Sequence, residues 1–272
     1  MIGSGNFLLL EFVILMNLNK MSRVLIIGGG FAGCAAAHQF SLKRPHDEVV
    51  LIEKNSFLGA GNKTQYYGGH PYTFGPRPFL TQDVEVFNYL NEILPIRRCP
   101  EHEFITYIEQ DSSFYNFPIN KDDIPKMPDS EIIQKELNSL IGIQEACDFE
   151  EYWIASVGKR LYEKFVDNYN KKMWLIKSNK EFDTFKWSPK GVALKEGPRA
   201  AWDIAISGYP YDPKGYDPYF QIATSDAKVL LNQKIEVFDI ENYRVFFQGA
   251  WHYYDIIINT ISPSDIFYNT IL

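Results

Sequence analysis

One stretch near the start of the chain constrains the fold more than any other. Arg23-Val24-Leu25-Ile26-Ile27 is a continuous apolar run, the pattern of a strand buried on both faces. Gly28-Gly29-Gly30-Phe31-Ala32-Gly33 comes after it and matches G-x-G-x-x-G. The small, helix-favouring Cys34-Ala35-Ala36-Ala37-His38-Gln39-Phe40 comes next, then a second apolar strand, Val49-Val50-Leu51-Ile52, ending in Glu53. Each part has a physical task. Gly28 permits a tight turn, Gly30 lets backbone approach a pyrophosphate, and Gly33 lets helix and strand pack closely. Phe31 and Ala32 open the helix, whose N-terminus offers free N–H groups and a positive dipole end to phosphate. Glu53 can accept hydrogen bonds from an adenosine ribose. Strand, glycines, helix, strand and acid in this order predict an α/β, Rossmann-like dinucleotide-binding domain. Cys34 and His38, inside the first helix, read as packing residues.

The choice between FAD and NAD rests on the segment after the ribose acid. Beyond Glu53-Lys54 the chain enters a second glycine-rich turn, Gly59-Ala60-Gly61-Asn62, instead of another helix. This resembles the large FAD-dependent superfamily, where such a turn continues the cofactor cradle. The expected cofactor is therefore FAD, with Gly28, Gly30, Phe31, Ala32, Gly33, Glu53, Lys54, Gly61 and Asn62 as its binding residues.

Composition narrows the remaining classes. The 272 residues carry a formal net charge of -7, which argues against broad nucleic-acid or anionic-membrane binding. Cys34, Cys99 and Cys147 are an odd count without a CxxC pair, which leaves no disulfide framework and no cysteine zinc site. No other metal site is expected, and a cytoplasmic protein is the default. The apolar stretch within residues 1–20 is too short to span a bilayer and is interrupted by Glu11. It reads as an upstream extension, with Met21 as the natural start.

Further on, Asp83 to Leu94 reads as a helix. Glu103 to Glu109 and Phe114 to Phe117 read as paired strands, and Ser130 to Leu140 as a short helix. A long helix from Phe149 to about Tyr169 is expected, started by Asp148 with Glu151 three residues on. Ile154, Val157, Leu161, Phe165 and Tyr169 would form its apolar stripe. The lysine-rich face that includes Lys159, Lys164 and Lys171 reads as solvated. Lys228 to Phe238 and Tyr243 to Gln248 read as strands. Ile256-Ile257-Ile258 reads as a central strand returning to the opening parallel sheet.

Several collinear segments together resemble the UDP-galactopyranose mutase family. Gly75-Pro76-Arg77-Pro78-Phe79-Leu80-Thr81 is similar to that family's G-P-H-I-F-H-T. Tyr115 to Asn120 is similar to its segment ending L-P-I-N. Tyr169-Asn170-Lys171-Lys172-Met173-Trp174 resembles its Y-T-K-K-Q-W, and Pro213-Lys214-Gly215-Tyr216 its P-x-D-G-Y. The resemblance implies an FAD-binding Rossmann-like domain with an inserted helical domain and an antiparallel sheet. The corresponding boundaries are 21–75 and 225–272 for the FAD domain, 76–120 and 183–224 for a sheet region that meets substrate, and 121–182 for the helical domain. It implies an isomerase that interconverts UDP-galactopyranose and UDP-galactofuranose without net redox change, through a sugar adduct at N5 of reduced flavin. By the same resemblance Tyr169 and Trp174 would line the UDP-sugar site, with Tyr169 against the uracil.

The departures from the family shape the remaining expectations. Arg77 and Leu80 stand where the family has histidines, and His70 in Gly68-Gly69-His70 is the candidate counterpart near the flavin. Of Lys190, Lys195 and Arg199, Arg199 is the candidate diphosphate clamp, since a guanidinium fork suits a diphosphate. Family members continue well beyond the returning strand, so the expectation is a truncated chain, or one completed by a homodimer partner or a second polypeptide. Two other readings stay open: an FAD oxidoreductase of the amine oxidase or desaturase type, and a non-catalytic fragment.

Overall fold

The computed structural model describes residues 21–73, 78–140, 146–182, 194–202 and 204–270. The expectations for residues 1–20, Arg77 and Lys190 lie outside them. The chain divides into two compact units, Met1–Arg97 with Gly208–Leu272, and Arg98–Ser207.

The first unit opens with β1 (Arg23–Ile27), α1 (Phe31–Lys43) and β2 (Glu48–Ile52). A hairpin comes next, β3 (Gln65–Tyr67) and β4 (His70–Tyr72), then β5 (Phe79–Thr81), α2 (Val84–Ile93) and β6 (Ile96–Arg98). Asp83 caps α2 by accepting hydrogen bonds from the Glu85 and Val86 amides.

The second unit holds the ribbon β7 (Phe104–Ile108) and β8 (Ser113–Phe117), then β9 (Ile119–Asn120) and α3 (Ser130–Ser139). The expected long helix is broken into pieces: α4 (Phe149–Val157), α5 (Lys159–Tyr162), a π-helical turn Glu163–Asp167, and α6 (Asn168–Trp174). Asp148 does start it, accepting from the Glu151 amide. Gly158 ends α4 at φ +82, with the Glu136 carboxylate so close that a Cβ would lie 2.8 Å from it. The wider π turn then shifts the helical register. Val157, Leu161 and Phe165 stay in the core, but Tyr169 is turned out and is 67% exposed. Lys164 also departs from the solvated face expected of it. Its side chain is 5% exposed and pairs with Asp111 and Asp129, as a buried ammonium must. The unit closes with β10 (Leu194–Lys195), parallel to β9.

The chain returns through β11 (Ile206–Pro210), which lies between β5 and β6. It continues with α7 (Asp217–Ala223), β12 (Lys228–Leu230), β13 (Val237–Asp239), β14 (Arg244–Phe247), β15 (Ala250–Tyr253), β16 (Ile256–Asn259) and α8 (Pro263–Tyr268). β13, β14 and β15 form an antiparallel meander. The expected strand Lys228–Phe238 is interrupted, because the Asn232 and Gln233 amides leave the ladder to bond the Asn55 and Glu53 carbonyls.

β12, β2, β1 and β16 make a four-stranded sheet in that order, all parallel. Its two faces explain the unbroken apolar runs. Val24 and Ile26 pack with Cys34, Ala37 and Phe40 of α1 and with Tyr219 and Phe220 of α7. Leu25, Ile27, Val50 and Ile52 point the other way, onto Phe238, Val245 and Phe247 of the meander. The returning strand pairs with β1 as expected, but it is an edge and not a central strand among the described residues. Ile256, Ile257 and Ile258 are accordingly half-buried. Among the described residues no helix is long and apolar enough to cross a membrane.

Candidate functional site: a dinucleotide pocket and an aromatic helix end

In the first unit, a pocket of about 300 Å³ opens at the carboxyl ends of β1 and β2, where ligands bind in open α/β sheets. Gly28 stands at φ +102, and a Cβ on it would lie 2.6 Å from Thr260 Oγ1. A Cβ on Gly33 would lie 1.8 Å from the Gly28 carbonyl oxygen, so only glycine allows α1 to start this close to β1. Before Gly30 there is room: the nearest atom its Cβ would meet is Ala60 Cβ at 3.8 Å. Gly30 caps α1 with no side-chain bond and no acid in the first turn. The leading N–H groups and the dipole of this thirteen-residue helix are therefore free for an anion.

Glu53 is buried at the pocket wall. It accepts from the Gly29 amide at 2.7 Å and from the Asn55 amide at 2.8 Å. With the Asn55 side-chain amide, which donates to Glu53 Oε1 at 2.7 Å, these donors hold the carboxylate in place and leave a lone pair on Oε2 for a ribose hydroxyl. The second glycine turn is tied to the first, since the Gly59 amide donates to the Gly29 carbonyl at 2.7 Å. Ala60–Asn62 is a 3₁₀ turn that carries Gly61 and Asn62. Asp217 secures the segment beyond it, taking Lys63 as ion-pair partner and accepting from the Thr64 amide. Lys54 is exposed and lines the pocket, and Ala32 is exposed at the start of α1. Phe31 has another place: its ring packs on Tyr216, Tyr219 and Phe220, so only its backbone is available to a phosphate.

Sequence reasoning missed the wall supplied by the later part of the chain. Gln233, Ile235, Phe238 and Ile261 line the pocket. The signal available was the polar Asn232-Gln233 pair inside an otherwise strand-like run. These residues fit a dinucleotide: a glycine cradle with open space, an uncapped helix start, a held carboxylate and apolar walls.

Cys34 and His38 are packing residues, as expected. Burial, reinforced by the Glu53 charge, pushes the Cys34 thiol up to about 12. Burial lowers the His38 imidazole, whose Nδ1 lies 2.8 Å from the Tyr89 hydroxyl. His70 stands on the exposed hairpin, beyond Gly68 and Gly69 at φ +56 and +83.

In the second unit, α6 presents Tyr169, Met173 and Trp174 to solvent, 67%, 45% and 52% exposed. At about 100° per residue, Met173 lies between the other two around the helix. The Trp174 ring meets Phe182 edge-on at 5.6 Å. Asn170, the buried residue of the same helix, anchors α6. Asn170 Nδ2 donates to Asn179 Oδ1 at 2.7 Å. Asn179, fully buried, donates to the Tyr162 hydroxyl at 2.7 Å and to Asp167 Oδ1 at 3.1 Å.

Arg199 is already engaged. It donates to Asn116 Oδ1 and pairs with Asp123 at 3.2 Å. Asp123 also takes Lys126 at 2.7 Å, so two cations share one buried carboxylate. Burial alone would raise the Asp123 carboxyl, but the bonds from Lys126 and the Asn116 amide, with the Arg199 charge, outweigh it and hold it below its usual range. Lys195 is buried and donates to the Ala200 carbonyl. No cluster of metal-ligating side chains occurs among the described residues.

Fold and pocket together define a protein with a Rossmann-like nucleotide-binding domain, mixed α/β architecture and added antiparallel sheets. Residues 26–93 match the family model described as an NAD(P)-binding Rossmann-like domain. Across both units the chain is 26% identical over 261 residues to the dTDP-fucopyranose mutase of Escherichia coli, covering 86% of this chain and 65% of that protein. It is 28% identical over 168 residues to the "Probable UDP-galactopyranose mutase" of Klebsiella pneumoniae, covering 56% of this chain and 40% of that protein. A crystal structure of reduced UDP-galactopyranose mutase superposes with a TM-score of 0.76 at 17% identity, over 93% of this chain and 58% of the other. The chain thus spans less than two thirds of the length of these relatives. These two relatives are named as sugar-nucleotide pyranose mutases, in agreement with the family that the sequence motifs resemble.

Proposed function

We propose that this chain carries out the pyranose–furanose interconversion of a pyrimidine nucleoside diphosphate sugar, with FAD as cofactor. The observation that carries this reading is the extent of the similarity to a sugar-nucleotide mutase. It runs through 261 residues, including the second unit, and is not confined to the Rossmann-like opening. UDP-galactopyranose is the substrate implied by the sequence motifs, and dTDP-fucopyranose is the one in the name of the relative matched over most of the chain.

The roles come from the chemistry of the residues in place. Gly28, Gly30, Gly33 and the start of α1 would hold the cofactor diphosphate through backbone N–H groups, with Phe31 and Ala32 contributing amides. Glu53 would bind the adenosine ribose, with Lys54, Gly61 and Asn62 along the rest of the cofactor. A reduced flavin supplies an electron-rich nucleophile for the anomeric carbon and is regenerated, so the sugar is isomerised without net oxidation. Tyr169 and Trp174 would take the pyrimidine. Arg199, one of two cations around a single carboxylate, would orient the sugar-linked diphosphate. His70 would serve at the flavin.

The test is the full chain, loaded with FAD and reduced by dithionite, incubated with UDP-galactofuranose or dTDP-fucopyranose and followed by anion-exchange chromatography. Interconversion of one of them, lost when the flavin is oxidised, is expected. A flavin-loaded chain that converts neither, or whose flavin is reduced by substrate, overturns the reading.

A further inference from the structure

Tyr169 and Met173 are one helical turn apart, so their side chains occupy the same face of α6. Both are exposed, and the helix is held in place by the buried Asn170–Asn179–Tyr162 bonds. Whatever stacks on Tyr169 therefore has Met173 as its neighbour along the helix. This position also distinguishes the chain from the motif it resembles. That motif reads Y-T-K-K-Q-W, and here Tyr169-Asn170-Lys171-Lys172-Met173-Trp174 puts methionine in place of glutamine.

The two side chains are similar in length and opposite in chemistry. A glutamine amide donates and accepts hydrogen bonds at a base edge. Methionine does neither well, but offers a polarizable apolar surface that adapts to a methyl group or a ring. Uracil and thymine differ by one methyl group at C5, and apolar contact is how proteins recognise that methyl.

We infer that Met173 is a specificity-determining side chain that selects a thymine over a uracil base, making a thymidine diphosphate sugar the preferred substrate class. The inference rests on the proposed reading that Tyr169 takes the pyrimidine.

Comparing dTDP with dUDP isolates the C5 methyl, because both carry the same deoxyribose and diphosphate. Isothermal titration of the full FAD-loaded chain should give about three- to fivefold tighter binding of dTDP than of dUDP, the worth of one buried methyl. In Met173→Gln the ratio should fall to about one. Met173 is a surface residue, so this variant keeps its fold. Equal affinities in the unmodified chain, or an undiminished ratio in Met173→Gln, overturn the inference and leave the base site standing. If neither nucleotide binds, the base-site reading itself fails and the inference goes with it.

Discussion

A methyl group on Gly33 would sit 1.8 Å from the Gly28 carbonyl oxygen, a contact that neither rotamer change nor small relaxation removes. Gly33→Ala should therefore cost more than about 3 kcal/mol, above the ordinary range for overpacking, and leave an expressed chain that melts early and takes up no flavin. Glu53 makes a subtler case. Glu53→Gln keeps the shape but turns an NH₂ toward donors that the carboxylate now accepts from, the Gly29 amide or the two Asn55 amides. A chain that still folds, with a lowered melting temperature and at least about tenfold weaker cofactor binding, close to 1.4 kcal/mol, is the expected result by flavin fluorescence titration. Cys34 tests burial directly. Its thiol is raised, so the protonated form is favoured in the folded chain. The stability this gives is complete below the unfolded thiol value of about 8.5 and is lost as pH rises toward about 12. At pH 8 a disulfide reagent should label exposed Cys147 quickly and reach Cys34 only on unfolding. Rapid labelling of Cys34 in the folded chain would contradict the packing described for α1.

Among the elements, α6 depends on polar bonds more than on its own seven residues. Asn179→Ala would strand the Asn170 amide in the core and leave the Tyr162 hydroxyl with only its carboxylate partner Asp167, a loss of about 2 kcal/mol that thermal melting would register. Acid should loosen the second unit as well. The Asp123 carboxyl is held below its usual range. It contributes stability above the unfolded value of about 4, and loses it as pH falls through the lower folded value. Asp123→Asn should flatten the fall in melting temperature below about pH 4, and an unchanged profile would show that Asp123 does not drive the acid loosening. The helices and strands with clean periodicity, α2, α3, β7 and β8, were legible from sequence because their apolar faces need no distant partner to be recognised. The break after Val157 was not. It depends on Glu136, twenty-two residues earlier, filling the space beside Gly158, and on a π turn that buries Lys164 against Asp111 and Asp129. Periodicity alone carries none of that information.

On the scale of the whole molecule, the Rossmann-like opening was legible almost residue by residue, because its glycines and acid are fixed by close approach and hydrogen bonding within one short stretch of chain. The other wall of the pocket was not, because Gln233, Ile235 and Ile261 arrive from the far end of the chain through the sheet topology. The same holds for Arg199, which the sequence offers as a free cation and the fold ties to Asp123. The proposed function requires this pocket to take FAD. Titrating the purified chain with FAD and recording the visible spectrum tests it directly. Saturable binding of one flavin per chain with a shifted absorbance band, weakened in Glu53→Gln, is the expected result. A folded chain that leaves the free-flavin spectrum unchanged and binds NAD in its place would contradict it.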